Sequence, residues 1–137
     1  MSDQISLTIV TPEKEVFSGL CDQVVVPAPG GPLGIFPHHA TLMSRISPGE
    51  LIIRGKGKDQ YLAVGDGLVN VANGQVMVMA DLAVEEGEID EKTVEAAHQR
   101  AREALAHGVS EEEYATTMAV LEKSIAQLRL KRRHRSN

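Results

Sequence analysis

"GLVNVANGQVMVM", residues 67–79, decides the fold. Two alternating apolar runs flank Asn73 and Gly74. An Asn-Gly pair in that setting is the strongest short-range hairpin signal, because a type I′ turn needs positive φ at both central positions. The same β-branched grammar extends back to the start of the chain through "ISLTIV" (5–10), "DQVVVPA" (22–28), "ELIIR" (50–54) and "QYLAV" (60–64). Turn signals separate these runs: "SPG" at Ser47 to Gly49, then "GKGK" from Gly55 and "GDG" from Gly65. Short strands punctuated roughly every ten residues predict an antiparallel β-sandwich or flattened barrel.

Around Glu85 to Asp90 the pattern becomes helical. Asp90 reads as an N-cap, and Val94, Ala97, Ala101, Ala104 and Leu105 recur at steps of three and four until His107 and Gly108 end the helix. Ser110 with Glu113 forms a capping box for a second helix of about 23 residues, whose stripe is Tyr114, Met118, Leu121, Ile125 and Leu128. The short link makes the two helices an antiparallel hairpin. Its first helix offers mainly Ala to the seam, and each missing methylene forgoes about 0.8 kcal/mol, so the hairpin is expected to be able to open. Ala equally permits close helix packing. The predicted fold class is therefore α+β: a β-sandwich over residues 1–86, then a helical hairpin over 87–137.

The chain has 137 residues, room for one ordinary domain or a small domain plus an appendage. A formal net charge of −5, with two Tyr, two Phe and no Trp, argues against nucleic-acid binding. Cys21 stands alone, so no internal disulfide forms, and a reducing compartment fits. The opening residues lack a basic region before an apolar stretch, which excludes a secretory signal, and the uncharged run from Val24 to Phe36 is too short and too rich in Pro and Gly to span a bilayer. Membrane association is expected to be peripheral, without insertion.

His38 and His39 are the first candidates for chemistry. Adjacent residues of an extended segment point opposite ways, so the pair does not chelate one ion, and His98, His107 and His134 lie in the predicted helices. Cys21 has no adjacent base and no G-x-S-x-G elbow exists, so nucleophilic catalysis is a poor match. "PGGPLG" (29–34) lacks the Lys and Ser/Thr of a phosphate loop and reads as a sharp turn. Two charge runs remain. "VEEGEIDE" lies where the first helix begins, favoured there by the macrodipole. Arg129, Lys131, Arg132, Arg133 and Arg135 crowd the C-terminus, either as a solvated end or as an electrostatic hook for an acidic partner.

"GGPLGIFPHHATLMSRISPGEL" (30–51) carries a family pattern. The chain resembles the epsilon subunits of bacterial F-type ATP synthases, which typically read G-x-x-G-I-[LY]-P-G-H-A-P-L followed by P-G. Gly31, Gly34, Ile35, Pro37, His39, Ala40, Leu42, Pro48 and Gly49 match, as do "VFSG" from Val16, "VMADLA" from Val78 and "IAQLRL" from Ile125. Three positions depart: His38 replaces the usual Gly, Thr41 the usual Pro, and Pro32 a residue that is often acidic.

The resemblance implies a non-catalytic central-stalk subunit, peripheral on the cytoplasmic face of the cell membrane, that couples proton flow to ATP synthesis. It implies His39 and Ala40 towards the gamma subunit, and Pro29, Gly30, Gly31 and Pro32 towards the membrane rotor ring of c subunits. It also implies a hairpin that can extend into the alpha/beta catalytic head and inhibit ATP hydrolysis, with Arg129, Lys131, Arg132, Arg133 and Arg135 as the inhibitory tail. Some members bind ATP through a motif like I-D-x-x-R-A. Here Ile89 and Asp90 match, whereas Thr93 and Val94 replace Arg and Ala, and Lys123 and Gln127 stand at later Arg positions, so the site is expected to be weakened. No cofactor is expected. Two rival readings are a stand-alone ATP-sensing module, which requires tight ATP binding without partners, and a small His-dependent metalloenzyme, which requires stoichiometric metal.

Overall fold

The computed structural model describes residues 3–55 and 57–135, with side chains up to Arg133. Ten strands come first: β1 (Ile5–Val10), β2 (Glu15–Cys21), β3 (Gln23–Ala28), β4 (Gly31–Ile35), β5 (Leu42–Ile46), β6 (Gly49–Arg54), β7 (Gln60–Val64), β8 (Gly67–Ala72), β9 (Gln75–Ala80) and β10 (Ala83–Glu85). A 3-10 turn (Glu86–Glu88) leads into α1 (Glu91–His107) and α2 (Glu111–Arg135). The strands form two five-stranded sheets, sheet 1 in the order β2-β1-β9-β8-β5 and sheet 2 in the order β10-β7-β6-β3-β4.

Period-2 patterning explains the sandwich. Ile5, Leu7 and Ile9 of β1 point inward, as do Val24 and Val26 of β3 and Val76 and Val78 of β9, and all are buried. Among the described residues the inter-sheet core contains 18 buried members, whereas the cluster joining the helices to sheet 2 contains Ala63, Ile89 and Leu130. At about 1.5–3 kcal/mol per fully buried aliphatic side chain, the sandwich is the stable block and the hairpin attachment the weak one.

The turn at Asn73 and Gly74 has φ of 52° and 77°, the positive pair that a type I′ turn demands. The strands it joins are in register from Gly67↔Ala80 to Ala72↔Gln75. Gly67 is required by space: a Cβ there would lie 2.0 Å from the Met79 carbonyl oxygen.

Three features differ from the sequence expectation. One pairing is parallel: β1 runs alongside β9 from Ser6↔Gln75 to Val10↔Met79, a long-range contact that no local signal encodes. The segment read as a sharp loop contains β4, whose Pro32 is tolerated because β4 is an edge strand. The apolar stripe of α2 does not face one surface. Tyr114 is exposed, while Ser124, Ala126, Leu128 and Leu130 are buried, because the C-terminal half of α2 lies against both α1 and strands β6 and β7.

The helix ends follow local chemistry. Asp90 caps α1, its carboxylate accepting from the Thr93 hydroxyl at 2.8 Å and the Thr93 amide at 3.4 Å. Gly108, with φ of 90°, closes that helix. The Ser110 hydroxyl accepts from the Glu113 amide at 3.2 Å at the start of α2.

Candidate functional site

The outer face of sheet 1 is built by the residues between the core positions. Register places Thr8, Met77, Asn70 and Met43 in one row across the sheet, and Val10, Met79, Leu68 and Arg45 in the next. Leu20 stands opposite Ser6 near the edge. Leu20, Leu68, Met77 and Met79 are exposed, and Met43 is 65% exposed, the most open of the large apolar side chains among the described residues. Antiparallel sheets normally present polar residues to water, so Met43, Met77, Met79 and Leu68 within these rows make the face a candidate contact surface. Three thioethers also give the face a soft, adaptable shape. The helices pack on sheet 2, leaving this face uncovered. None of these residues was singled out from the sequence, although "QVMVM" holds the signal: Val76 and Val78 fill the core while the intervening Met residues face water.

The histidine pair lies in the loop that carries the chain from β4 to β5 and so into Met43. His38 sits at φ 65°, the left-handed conformation that favours glycine, and its Nε2 is 3.7 Å from Asp3 Oδ1 on the surface. The His39 amide donates to the Phe36 carbonyl at 3.2 Å, and its Nδ1–H donates to the carbonyl of Ala40 at 2.8 Å. Exposed Phe36 precedes them. Among the described residues no three His, Cys, Asp or Glu side chains converge as metal ligands. Cys21 is buried in the core, and burial pushes its thiol up from the ordinary value.

Pro29 and Gly30 form the exposed tip between β3 and β4, where Ala28 pairs with Gly31 and Pro27 with Pro32. A cavity of about 400 Å³ behind this hairpin is lined by Pro27, Gly31, Pro32, Glu50 and, from the far end of α2, Arg133. The basic tail and the β3–β4 hairpin are therefore neighbours, a juxtaposition not visible in the sequence.

The nucleotide-motif residues have structural partners. Ile89 is buried with Ala63 and Leu130. The Thr93 hydroxyl and amide hold the Asp90 carboxyl below the usual carboxylate range. Lys123 pairs with Asp81 at 3.2 Å.

The five basic residues of the tail lie in the last turns of α2. Arg129 is exposed, the Lys131 ammonium donates to the Glu86 carbonyl at 3.3 Å, and Arg132 pairs with Glu91 at 3.0 Å and Glu95 at 3.5 Å. Arg133 pairs with Glu50 of β6, while the side chain of Arg135 lies outside the described residues. No helix among the described residues is long and apolar enough to cross a membrane.

The beta-sandwich domain of the ATP synthase delta/epsilon chain matches residues 4–86, and the long alpha-helix domain of the same chains matches residues 88–132. The ATP synthase epsilon chain of Janthinobacterium sp. is 38% identical over 130 residues, 93% of each chain. That of Nitrosococcus oceani is 38% identical over 130 residues, 94% of this chain and 93% of its own. That of Syntrophobacter fumaroxidans is 37% identical over 130 residues, 95% and 97%. In fold, the chain is similar to one in the Euglena gracilis mitochondrial ATP synthase, with a TM-score of 0.76 at 21% identity, covering 92% of this chain and 80% of that one. A chain of the Tetrahymena thermophila mitochondrial central stalk and c-ring gives a TM-score of 0.57 at 17% identity, covering 95% of both. Two consecutive domain matches in the order of the fold, with these relatives, establish that the chain belongs to the ATP synthase delta/epsilon family as an epsilon chain.

Proposed function

We propose that this chain is the non-catalytic rotor subunit that joins the gamma shaft to the membrane ring of c subunits on the cytoplasmic face of the membrane. In this reading residues 1–86 form the docking unit and residues 87–137 the regulatory unit. The observation that carries it is the exposed Met and Leu face of sheet 1, an adaptable apolar surface on the stable block and opposite the helices. Gamma covers that face, reached also by His39 and Ala40 at the entrance to β5. The exposed tip at Pro29 to Pro32 meets the ring. The hairpin, held by few buried contacts, swings towards the catalytic head, where Arg129, Lys131, Arg132, Arg133 and Arg135 grip an acidic surface and slow ATP hydrolysis.

Co-purification of the assembled enzyme tests the docking. Met43→Lys/Met77→Lys changes outward-facing positions, so the chain is expected to fold and yet lose gamma. His39→Gln is expected to weaken the same association. Recovery of gamma at the wild-type level with the double variant would remove the docking assignment. Deleting residues 129–137 is expected to raise hydrolysis by the assembled head without loss of assembly. An unchanged rate refutes inhibition by the tail.

A further inference from the structure

Three consecutive cations near the end of α2 each reach a different part of the molecule. Lys131 donates to the carbonyl of Glu86 in the 3-10 turn, Arg132 pairs with Glu91 and Glu95 of α1, and Arg133 pairs with Glu50 at the start of β6. The acidic run around residues 85–95 thus supplies much of the charge that receives the tail.

The two sides of these pairs are unequal. The Glu50 and Glu91 side chains are only 17% and 21% exposed, on a strand and a helix, whereas the Arg133 and Arg132 side chains are 59% and 48% exposed; Glu95, at 62%, is the open carboxylate of the set. An incoming carboxylate therefore reaches each guanidinium from the solvent side before the first partner lets go. Arg129, exposed one turn earlier, has no ion pair among the described residues and offers the first contact.

We propose that Glu50, Glu91 and Glu95 act as an internal substitute for the acidic partner surface, so that the tail engages that partner only by exchanging one set of carboxylates for another. The proposal rests on the reading of the tail given above and adds the residues that compete with the partner. The end of α2 lies either against β6 and α1 or against the head, so stabilising the folded hairpin and gripping the head are mutually exclusive uses of the same charges. Removing the internal carboxylates then favours the extended hairpin without touching a residue that meets the head.

The test uses the full chain with nitroxide labels at Ser18→Cys on β2 and Thr116→Cys on α2, both exposed positions, with Cys21 buried. Pulsed dipolar spectroscopy reads the distance between the labels. Glu50→Gln/Glu91→Gln is expected to raise the long-distance population about fivefold, the scale for two half-exposed pairs acting together. Glu50→Asp/Glu91→Asp retains the charges and is expected to restore the wild-type distribution, which separates charge loss from misfolding. Glu111→Gln, at the opposite end of α2, is expected to change nothing. A wild-type distribution in the Gln variant overturns the proposal. The same variant in the complete enzyme is expected to hydrolyse ATP more slowly. Altered distances with unaltered hydrolysis support the internal substitute and instead refute the inhibitory role of the tail.

Discussion

Leu130→Ala separates the stability of the hairpin attachment from that of the sandwich. Leu130 is buried against Ala63 and Ile89, with Tyr61, Val84 and Val94 packed around them. Truncating a buried Leu costs about 2–5 kcal/mol, and the low end applies because a three-membered cluster at the edge of a sheet collapses around the gap more readily than an enclosed core. A loss of about 2.5 kcal/mol corresponds to an opening equilibrium about 60-fold more favourable, at 1.4 kcal/mol per factor of ten. Native-state hydrogen exchange reads this directly, strand by strand and helix by helix. Amides in α2 and in the last turns of α1 are expected to exchange about 60-fold faster, while those of β1, β8 and β9, whose core lies on the far side of sheet 2, keep their wild-type protection. An equal loss of protection in strands and helices would show one cooperative unit and refute a hairpin that opens by itself.

Gly67→Ala places a methyl 2.0 Å from the Met79 carbonyl, so the hairpin register must shift, and urea unfolding is expected to show a loss of about 3 kcal/mol or more; a loss below 1 kcal/mol contradicts the close approach. His38→Gly relieves a left-handed residue at φ 65°, and the net of strain relief and added chain entropy is expected to raise the melting temperature by about 2–4 °C, measured by calorimetry. Asp90 has a lowered carboxyl, so its contribution to the hairpin is full above the ordinary Asp range near pH 4 and is lost as pH falls through the lowered value. Helical circular dichroism of Asp90→Asn, which keeps a capping side chain, is expected to lose that acid-side step.

Legibility follows the range of the interactions involved. The turn at Asn73 and Gly74 and the caps at Asp90 and Ser110 are decided within four residues, so the sequence shows them. The six apolar runs correspond to β1, β3, β6, β7, β8 and β9, whereas β2, β4, β5 and β10 fall outside them. All four are edge strands, which gain their pairing from a neighbour on one side alone, so their own residues carry little strand signal. The Met face was hidden for a different reason: alternation between two apolar types looks like one continuous apolar run. The ion pairs of the tail were hidden by distance, since Arg133 meets Glu50 across 83 positions.

The parallel alignment of β1 with β9 also governs how the chain is made. Residues 5–10 leave the ribosome before the other nine strands yet occupy the second position of sheet 1, between β2 and a strand that emerges some seventy residues later. Until then the edge of β1 that will meet β9 is bare, a state open to unwanted association, and its closure is slow because the two strands are far apart in the chain. Sheet 1 is complete only when residue 80 appears and sheet 2 only when β10 follows, and the helices are synthesised afterwards onto that sandwich. A nascent chain stalled before β9 therefore lacks both the strand that closes sheet 1 and the Met77 and Met79 positions of its outer face.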